Sequence, residues 1–460
     1  MFRTILVANR GEIAVTIIRA CRELGIRSVA VCSEADRDAL HALLADDVIC
    51  IGPAAPIASY LNRQAILSAA VVSDADAIHP GFGFLAENSA FVRMCEQMNI
   101  RFIGPSSAAM EMLGDKQRAR QSALAAGVPV IPGSSGILDA VSEARRVARE
   151  IGYPVIIKAT AGGGGRGMRV VQAESELQHA FLAARAEAQA AFGDPRVYME
   201  HYIIEPRHIE IQLLADSCGQ IRHYGERDCS IQRRNQKLLE ESPSPFMTPG
   251  LREEMGESAI RLARAVGYEG AGTVEFLVDA DRRYYFMEAN TRIQVEHPVT
   301  EAVGDVNLIR EQILIAAGER LEPAAGPFEP RGHAIECRIN AEDPVHDFRP
   351  RPGRIGTLML PGGHGVRVDT ALYPGYTVPS EYDSLLAKVI VHAPDRMQAI
   401  ARMRRALTEC VIEGIPTNID FQLAILRDPV FLAGDANNGY IAARLPQLLR
   451  ELRPEEASQC

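Results

Sequence analysis

The stretch Met287-Glu288-Ala289-Asn290-Thr291-Arg292-Ile293-Gln294-Val295-Glu296-His297 decides how the rest of the chain is read. Its even positions are Glu, Asn, Arg, Gln and Glu; its odd positions are Met, Ala, Thr, Ile, Val and His. In an extended backbone successive side chains point to opposite faces. One face is then mostly apolar, and the other aligns two carboxylates, two amides and a guanidinium. An edge strand with a solvated polar face gives the same alternation. Solvated faces favour Lys, Thr and Ser, however, whereas this run of varied hydrogen-bonding groups suits a ligand.

Upstream, Gly272-Thr273-Val274-Glu275-Phe276-Leu277-Val278 also alternates, and residues 279–283 read as a turn into Tyr284-Tyr285-Phe286. The resulting hairpin can set Glu275 near Glu288 and Asn290. Oxygen ligands grouped in this way suit Mg²⁺, which takes one or two carboxylates and leaves its other positions to water and phosphate. Arg292 suits a small planar anion held through two parallel N–H donors. The stretch therefore suggests a metal–phosphate site with an oxyanion pocket beside it.

At 460 residues roughly three domains are expected. A hydrophobic content of 47% and a charged content of 23% are ordinary for a soluble globular protein. The net charge of −10 argues against a nucleic-acid surface but not against a local basic phosphate site. No apolar run reaches the ~18 residues of a membrane span, and the N-terminus enters a strand-like run without a signal peptide. The 9 cysteines are scattered, without a C-x-x-C pair, which fits a reduced, cytoplasmic protein.

Ile5-Leu6-Val7-Ala8 reads as a strand, residues 12–24 as a helix and Val29-Ala30-Val31-Cys32 as a second strand. That β-α-β unit implies a parallel sheet, here a scaffold, because its first turn lacks G-x-G-x-x-G. The loop His79-Pro80-Gly81-Phe82-Gly83-Phe84 allows either close approach of a ligand or a tight turn. Lys116 heads a helix to about residue 126. Tyr153-Pro154-Val155-Ile156-Ile157-Lys158 is a strand, and residues 159–167 form a glycine-rich connection to Met168-Arg169-Val170-Val171. A second strand follows it, so this reads as a β-turn-β flap able to lay N–H groups over phosphates; a flexible linker is the alternative. His208, Glu210 and Gln212 share one face of a strand. The polar run 226–237 is either a solvated face or part of a site. A boundary is expected at 321–330, with a mainly β region beyond it to about 391 and a helix at 397–408.

Taken together, Ala8-Asn9-Arg10-Gly11-Glu12-Ile13-Ala14, the 79–84 loop, the 158–168 flap, the 226–237 segment and Glu288 to Pro298 resemble the biotin carboxylases of the ATP-grasp superfamily. The resemblance runs from Ile5 to about Leu445, and its most specific element is E-x-N-x-R-x-Q-V-E-H. It implies an α/β and α+β multidomain ATP-grasp fold: an N-terminal Rossmann-like parallel-sheet domain at 1–114, an ATP-grasp region at 115–320 with a glycine-flap lid at about 131–203, and a C-terminal mainly β domain at 331–446.

The resemblance also implies roles. ATP is contacted by Lys116, Lys158, Gly164, Gly165, Glu200, His201, Tyr202, Ile203, His208, Gln232 and Asn235. Glu275, Glu288 and Asn290 hold Mg²⁺ or Mn²⁺, with two sites expected. Lys237, Arg292, Gln294 and Val295 form a bicarbonate pocket, and Glu296 is the base that deprotonates bicarbonate. Arg338 stabilises the biotin enolate, with Phe82 on the biotin side. Three positions depart from the family pattern: Asn235 where His is usual, Phe82 for Tyr and Thr16 for Arg. Without an A-M-K-M motif or a carboxyltransferase region, the chain is expected to be a separate subunit, a homodimer in the family's manner, acting on biotin held by a carrier protein and serving a carboxyltransferase subunit. A different ATP-grasp ligase, or a nucleotide-binding regulatory subunit without turnover, are the competing readings.

Overall fold

In the computed structural model, which describes residues 1–160, 167–323 and 326–452, the apolar run of β1 (Thr4–Val7) is wholly buried. A strand apolar on both faces belongs inside a parallel sheet covered on both sides. With β2 (Arg27–Cys32), β3 (Asp47–Cys50), β4 (Ala77–His79) and β5 (Arg101–Phe102), it forms a parallel sheet of order β3-β2-β1-β4-β5. Helix α1 (Gly11–Glu23) packs Ile13, Ile17 and Cys21 onto the face carrying Ile5 and Val7, while Ile66 and Phe91 cover the face carrying Leu6 and Ile78. At the carboxyl ends of the interior strands β1 and β4, Asn9 closes the 79–84 loop, its Nδ2 donating to the carbonyls of Pro80 at 2.6 Å and Phe82 at 2.7 Å. Gly81 has φ +61°, and a Cβ there would meet that amide at 3.0 Å. The loop therefore turns tightly on the Asn9 amide.

The lid is an antiparallel sheet of order β7-β6-β8, made of β6 (Val155–Ala159), β7 (Met168–Val171) and β8 (Val197–His201). Helices Val141–Ile151 and Glu174–Phe192 pack against it. Lys158 pairs with Met168, as a β-turn-β flap requires. The flap tip, with Gly164 and Gly165, lies outside the described residues.

The largest sheet contains β9 (Arg207–Ala215), β10 (Ile221–Arg233), β11 (Gln236–Ser242), β12 (Gly270–Val278), β13 (Tyr284–Asn290) and β14 (His333–Asn340), followed by the strands Leu385–Ala393 and Val366–Thr370. These eight strands are antiparallel, in the order β13-β12-β9-β10-β11-β14 and then the two late strands. Helix Pro249–Ala265 covers one part of the sheet and helix Arg396–Glu409 another. Hydrogen bonding between β11 and β14 carries the sheet past the segment 321–330. After the helix expected near 397–408 the chain continues into helices Ile419–Ile425, Pro429–Ala433 and Tyr440–Glu451, whose patterns are short or interrupted by Pro446. No helix among the described residues is long and apolar enough to cross a membrane.

One local expectation is corrected. The extended run expected through His297 stops at Asn290. Glu296 has φ −83° and ψ 11°, and helix His297–Gly304 begins with Pro298 in its first turn, where proline's fixed φ is already helical. The 226–237 segment runs along β10, through a turn and into β11, and its β10 part is mostly buried rather than a solvated face. Arg234 and Asn235, at φ +50° and +65°, form the two-residue turn of a hairpin between β10 and β11.

Candidate active site

The site grows from the hairpin β12–β13. Its register sets Glu275 opposite Glu288 and Thr273 opposite Asn290. Two carboxylates directly opposite one another repel, and burial followed by the Glu275 charge pushes the Glu288 carboxyl up. For Glu275 the opposite holds: burial raises its pKa, but Lys237 and His208 outweigh that and bring it well below the usual range. Nε2 of His208 lies 2.8 Å from Oε2 of Glu275, and Asn290 Nδ2 donates to Oε1 at 2.8 Å. His208, Glu210 and Glu275 offer ligand atoms within 4.8 Å of one another. Two facing acids with an amide oxygen beside them are the hard oxygen donors that Mg²⁺ or Mn²⁺ takes, so the donor set fits a divalent ion.

Beyond Asn290 the alternation of an extended strand is lost, yet its polar groups still converge. Arg292 Nη2 donates to the Asn290 side-chain oxygen at 3.1 Å, and Nη1 to Gln294 Oε1 at 2.8 Å. Gln294 Nε2 reaches Glu275 Oε1 at 3.0 Å. A chain of hydrogen bonds therefore replaces the pleat in gathering these side chains.

Lys237, from β11, points into the same space. Its Nζ donates to Glu210 at 2.7 Å, Glu275 at 3.2 Å and Glu296 at 2.6 Å. Burial works against its ammonium, but Cys229, Glu210, Glu275 and Glu296 around it hold its pKa well above the ordinary lysine value. Glu296, itself 1% exposed, is pushed up by burial and pulled further down by Lys237, Arg338 and Arg227, so it is ionised at neutral pH. Arg338 Nη2 donates to its second oxygen at 2.9 Å, while Nε donates to Glu240 at 2.6 Å. Behind this layer Arg227, wholly buried, bonds Gln212 at 2.8 Å, Thr300 at 2.9 Å, Thr273 at 3.1 Å and the Glu210 carboxylate. Burial first, then Glu210, pushes the Cys229 thiol well above its usual pKa, which disfavours the thiolate.

The residues expected to contact the nucleotide are spread between lid and sheet. Lys158 Nζ donates to Glu200 at 2.6 Å across β6 and β8. His201 ends β8, its Nδ1 at 3.2 Å from the Gly152 carbonyl, with Tyr202 and Ile203 immediately after it. Lys116 is exposed at the start of helix Lys116–Ala125 and acts on Glu288 through its charge. Gln232 faces Lys237 across the hairpin, whereas Asn235 is exposed at the turn, where a short amide tolerates positive φ. Phe82 packs with α1 and the N-terminal sheet, and no described hydrogen bond or ion pair joins its loop to Arg338. Thr16, where Arg was expected, returns its hydroxyl to the Glu12 carbonyl at 3.0 Å.

Sequence reasoning missed Glu87, Glu210, Arg227 and Glu240 as members of the site. Glu87 accepts from Arg292 Nε at 2.8 Å and from the Thr291 N–H at 3.0 Å, tying the N-terminal sheet region to the segment after β13. It follows the 79–84 loop by only three residues, the one available signal. Alternation had already placed Glu210 with His208, but only its Lys237 partner shows what that face serves.

Comparison with known proteins agrees with this geometry. The biotin carboxylase N-terminal domain family matches residues 1–110, the ATP binding domain of the carbamoyl-phosphate synthase L chain matches 115–324, and the biotin carboxylase C-terminal domain matches 336–443. The chain is 57% identical over 442 residues to biotin carboxylase 1 of Bacillus subtilis, covering 96% of this chain and 98% of that one. A Campylobacter jejuni biotin carboxylase in complex with β,γ-ATP superposes with a TM-score of 0.91 at 50% identity, covering 96% of this chain and 99% of the other. A biotin carboxylase domain dimer of Hydrogenobacter thermophilus 2-oxoglutarate carboxylase, holding MgADP, ADP and bicarbonate, superposes with a TM-score of 0.90 at 48% identity over 97% and 98% of the two chains. With this sheet, this lid and this set of buried charges, the chain belongs to the biotin carboxylase family, an ATP-grasp enzyme family.

Proposed function

We propose that this chain carboxylates biotin held on a separate carrier protein, using ATP and bicarbonate. The observation that carries the reading is the ionised Glu296, held between Lys237 and Arg338 and only a few residues after Arg292 and Gln294. Bicarbonate accepts from Arg292 and Lys237 and lies against Gln294 and Val295. As Lys237 turns toward the anion, Glu296 loses part of the charge that depresses its pKa and becomes a better base. Glu296 takes the bicarbonate proton, the freed oxygen attacks the γ-phosphorus of ATP, and ADP leaves. The product carboxyphosphate separates into CO₂ and phosphate. Phosphate takes the biotin N1 proton, N1 bonds to CO₂, and Arg338 holds the ureido oxyanion that forms between these steps.

A divalent ion held by Glu275, Glu288 and Asn290 supplies positive charge that spreads the phosphoryl charge as it develops. Mg²⁺ or Mn²⁺, at one position or two, suits these donors. Lys116, Lys158, Glu200, His201, Tyr202, Ile203, His208 and Gln232 serve ATP, and Gly164 and Gly165 cover its phosphates. For ATP to reach Lys158, its pair with Glu200 must open. Asn235, lacking the charge of the usual His, serves ATP weakly from the exposed turn, and Phe82 serves biotin through its loop. We assign the three-part division at 1–114, 115–320 and 331–446, a cytoplasmic setting supported by the free cysteines, a homodimer, and a carboxyltransferase partner that selects the final acceptor.

The test is ATP cleavage with and without bicarbonate, and with free biotin. Bicarbonate-dependent cleavage stimulated by biotin supports the reading. Cleavage indifferent to bicarbonate contradicts it and favours another ATP-grasp ligase; tight ATP binding without turnover favours a regulatory subunit.

A further inference from the structure

Lys388 lies in the strand Leu385–Ala393 with none of its surface exposed. A buried ammonium needs compensating partners. Its Nζ donates to the Val295 carbonyl at 2.9 Å, lies 3.0 Å from Oε1 of Glu12 and 3.9 Å from Oδ2 of Asp369. Burial pulls its pKa down, but Glu12, Glu336 and Asp369 more than offset this and keep the lysine charged. Glu12 comes from α1, beside the N-terminal sheet, so one ammonium joins the first helix, the last part of the large sheet and the turn that carries Val295.

That turn is held by its carbonyls. The Gln294 carbonyl accepts from His297 Nδ1 at 2.8 Å and from the His297 N–H at 3.3 Å. The Val295 carbonyl accepts from Lys388. In a trans peptide the N–H points opposite to the carbonyl of the same plane. Fixing these two carbonyls therefore fixes the directions of the Val295 and Glu296 N–H groups, neither of which has a hydrogen-bond partner among the described residues.

We propose that Lys388, held by Glu12, is a positioning residue for the anion pocket: by anchoring the Val295 carbonyl it orients the 294–296 backbone and the Glu296 side chain toward bicarbonate. The proposal rests on the bicarbonate reading above. It also gives a purpose to Glu12 in the Ala8-Asn9-Arg10-Gly11-Glu12 motif, which touches neither ATP nor biotin in the scheme above.

The experiment measures ATP cleavage as a function of bicarbonate and of ATP, with the thermal unfolding midpoint, for the full chain and for Lys388→Met, Glu12→Gln and the double variant. Lys388→Met is expected to raise the bicarbonate KM about tenfold, the scale of one lost charged hydrogen bond, and to leave the ATP KM within about twofold. Glu12→Gln keeps the side chain's size, so it reports even where Lys388→Met folds poorly; a rise of about threefold in bicarbonate KM is expected. Adding Glu12→Gln to Lys388→Met removes an unpaired buried carboxylate, so the unfolding midpoint should recover while the bicarbonate defect persists. Return of the bicarbonate KM to the parent value in the double variant overturns the proposal, as does an equal rise in both KM values. An unaltered KM in Lys388→Met and Glu12→Gln, with bicarbonate dependence intact in the parent chain, overturns the positioning role alone. A parent chain indifferent to bicarbonate overturns the underlying reading as well.

Discussion

Nη2 of Arg338, on β14, donates to Oε2 of Glu296, in the turn after β13, across 2.9 Å. The base assigned to bicarbonate and the cation assigned to biotin thus touch directly, and the same guanidinium is tethered by Glu240, whose carboxyl burial pushes up to about 7 against the pull of Arg338. Arg338→Ala should lower biotin carboxylation about a hundredfold or more, as loss of an oxyanion donor does, and slow bicarbonate-dependent ATP cleavage much less. Parallel assays of carboxybiotin and phosphate decide this; equal losses count against the oxyanion role.

Glu288 faces Glu275 across the hairpin, and the charge of Lys116 only partly offsets the burial and the Glu275 charge that push its carboxyl up. Glu288→Gln should weaken the divalent-ion requirement's affinity by about 10–100-fold while the bicarbonate KM changes little. Titrating Mg²⁺ against ATP cleavage checks it. An unchanged Mg²⁺ dependence would remove Glu288 from the ligand set.

Arg227 joins β10 to β9, β12 and helix His297–Gly304 through four side chains. Truncating it leaves the buried Glu210 with Lys237 as its remaining cation and strips Gln212, Thr273 and Thr300 of their shared donor, so Arg227→Met should cost about 3–5 kcal/mol of stability. Urea unfolding at neutral pH measures this, and a loss below about 1 kcal/mol would show that the network relaxes around the gap.

Glu241 gives a pH signature. Burial pushes its carboxyl up, but His333 at 2.8 Å and Arg396 at 2.7 Å outweigh burial and bring it down to about 2 from an ordinary 4.5. A folded-state pKa below the unfolded one stabilises the fold above the unfolded value, and that contribution is lost as pH falls from about 4.5 to about 2. It amounts to about 3 kcal/mol at neutral pH. Glu241→Gln should therefore be less stable at pH 7 and have a shallower acid limb, read from urea midpoints across that window. Parallel acid limbs in parent and variant would contradict the assignment.

Much of this fold was legible because its signals are local. The apolar run Ile5-Leu6-Val7-Ala8 reads as a strand of a β-α-β unit, and Asp115, whose side chain caps the helix through the Arg118 N–H at 2.9 Å, marks the helix that Lys116 opens. The hairpin placing Glu275 against Glu288 followed from alternation and a turn. The end of β13 was misjudged because Arg292, Gln294 and Glu296 keep the alternating spacing after the strand stops; Pro298 was the overlooked sign. Glu87, Arg227, Glu240 and Lys388 were illegible for a different reason. Each sits in a segment with its own apolar or polar pattern, and only the folding of remote strands against one another brings its charge to Arg292, Glu210, Arg338 or Val295.

The central claim is that a bicarbonate oxygen, activated at Glu296, attacks the terminal phosphorus of ATP. The most direct measurement supplies bicarbonate labelled with ¹⁸O in unlabelled water, in the presence of Mg²⁺, ATP and biotin, and weighs the phosphate released. Formation of carboxyphosphate transfers one bicarbonate oxygen to phosphorus, so phosphate carrying a single ¹⁸O is expected at each turnover. Phosphate without label, formed at the same rate, would mean that water attacks ATP and would contradict the account.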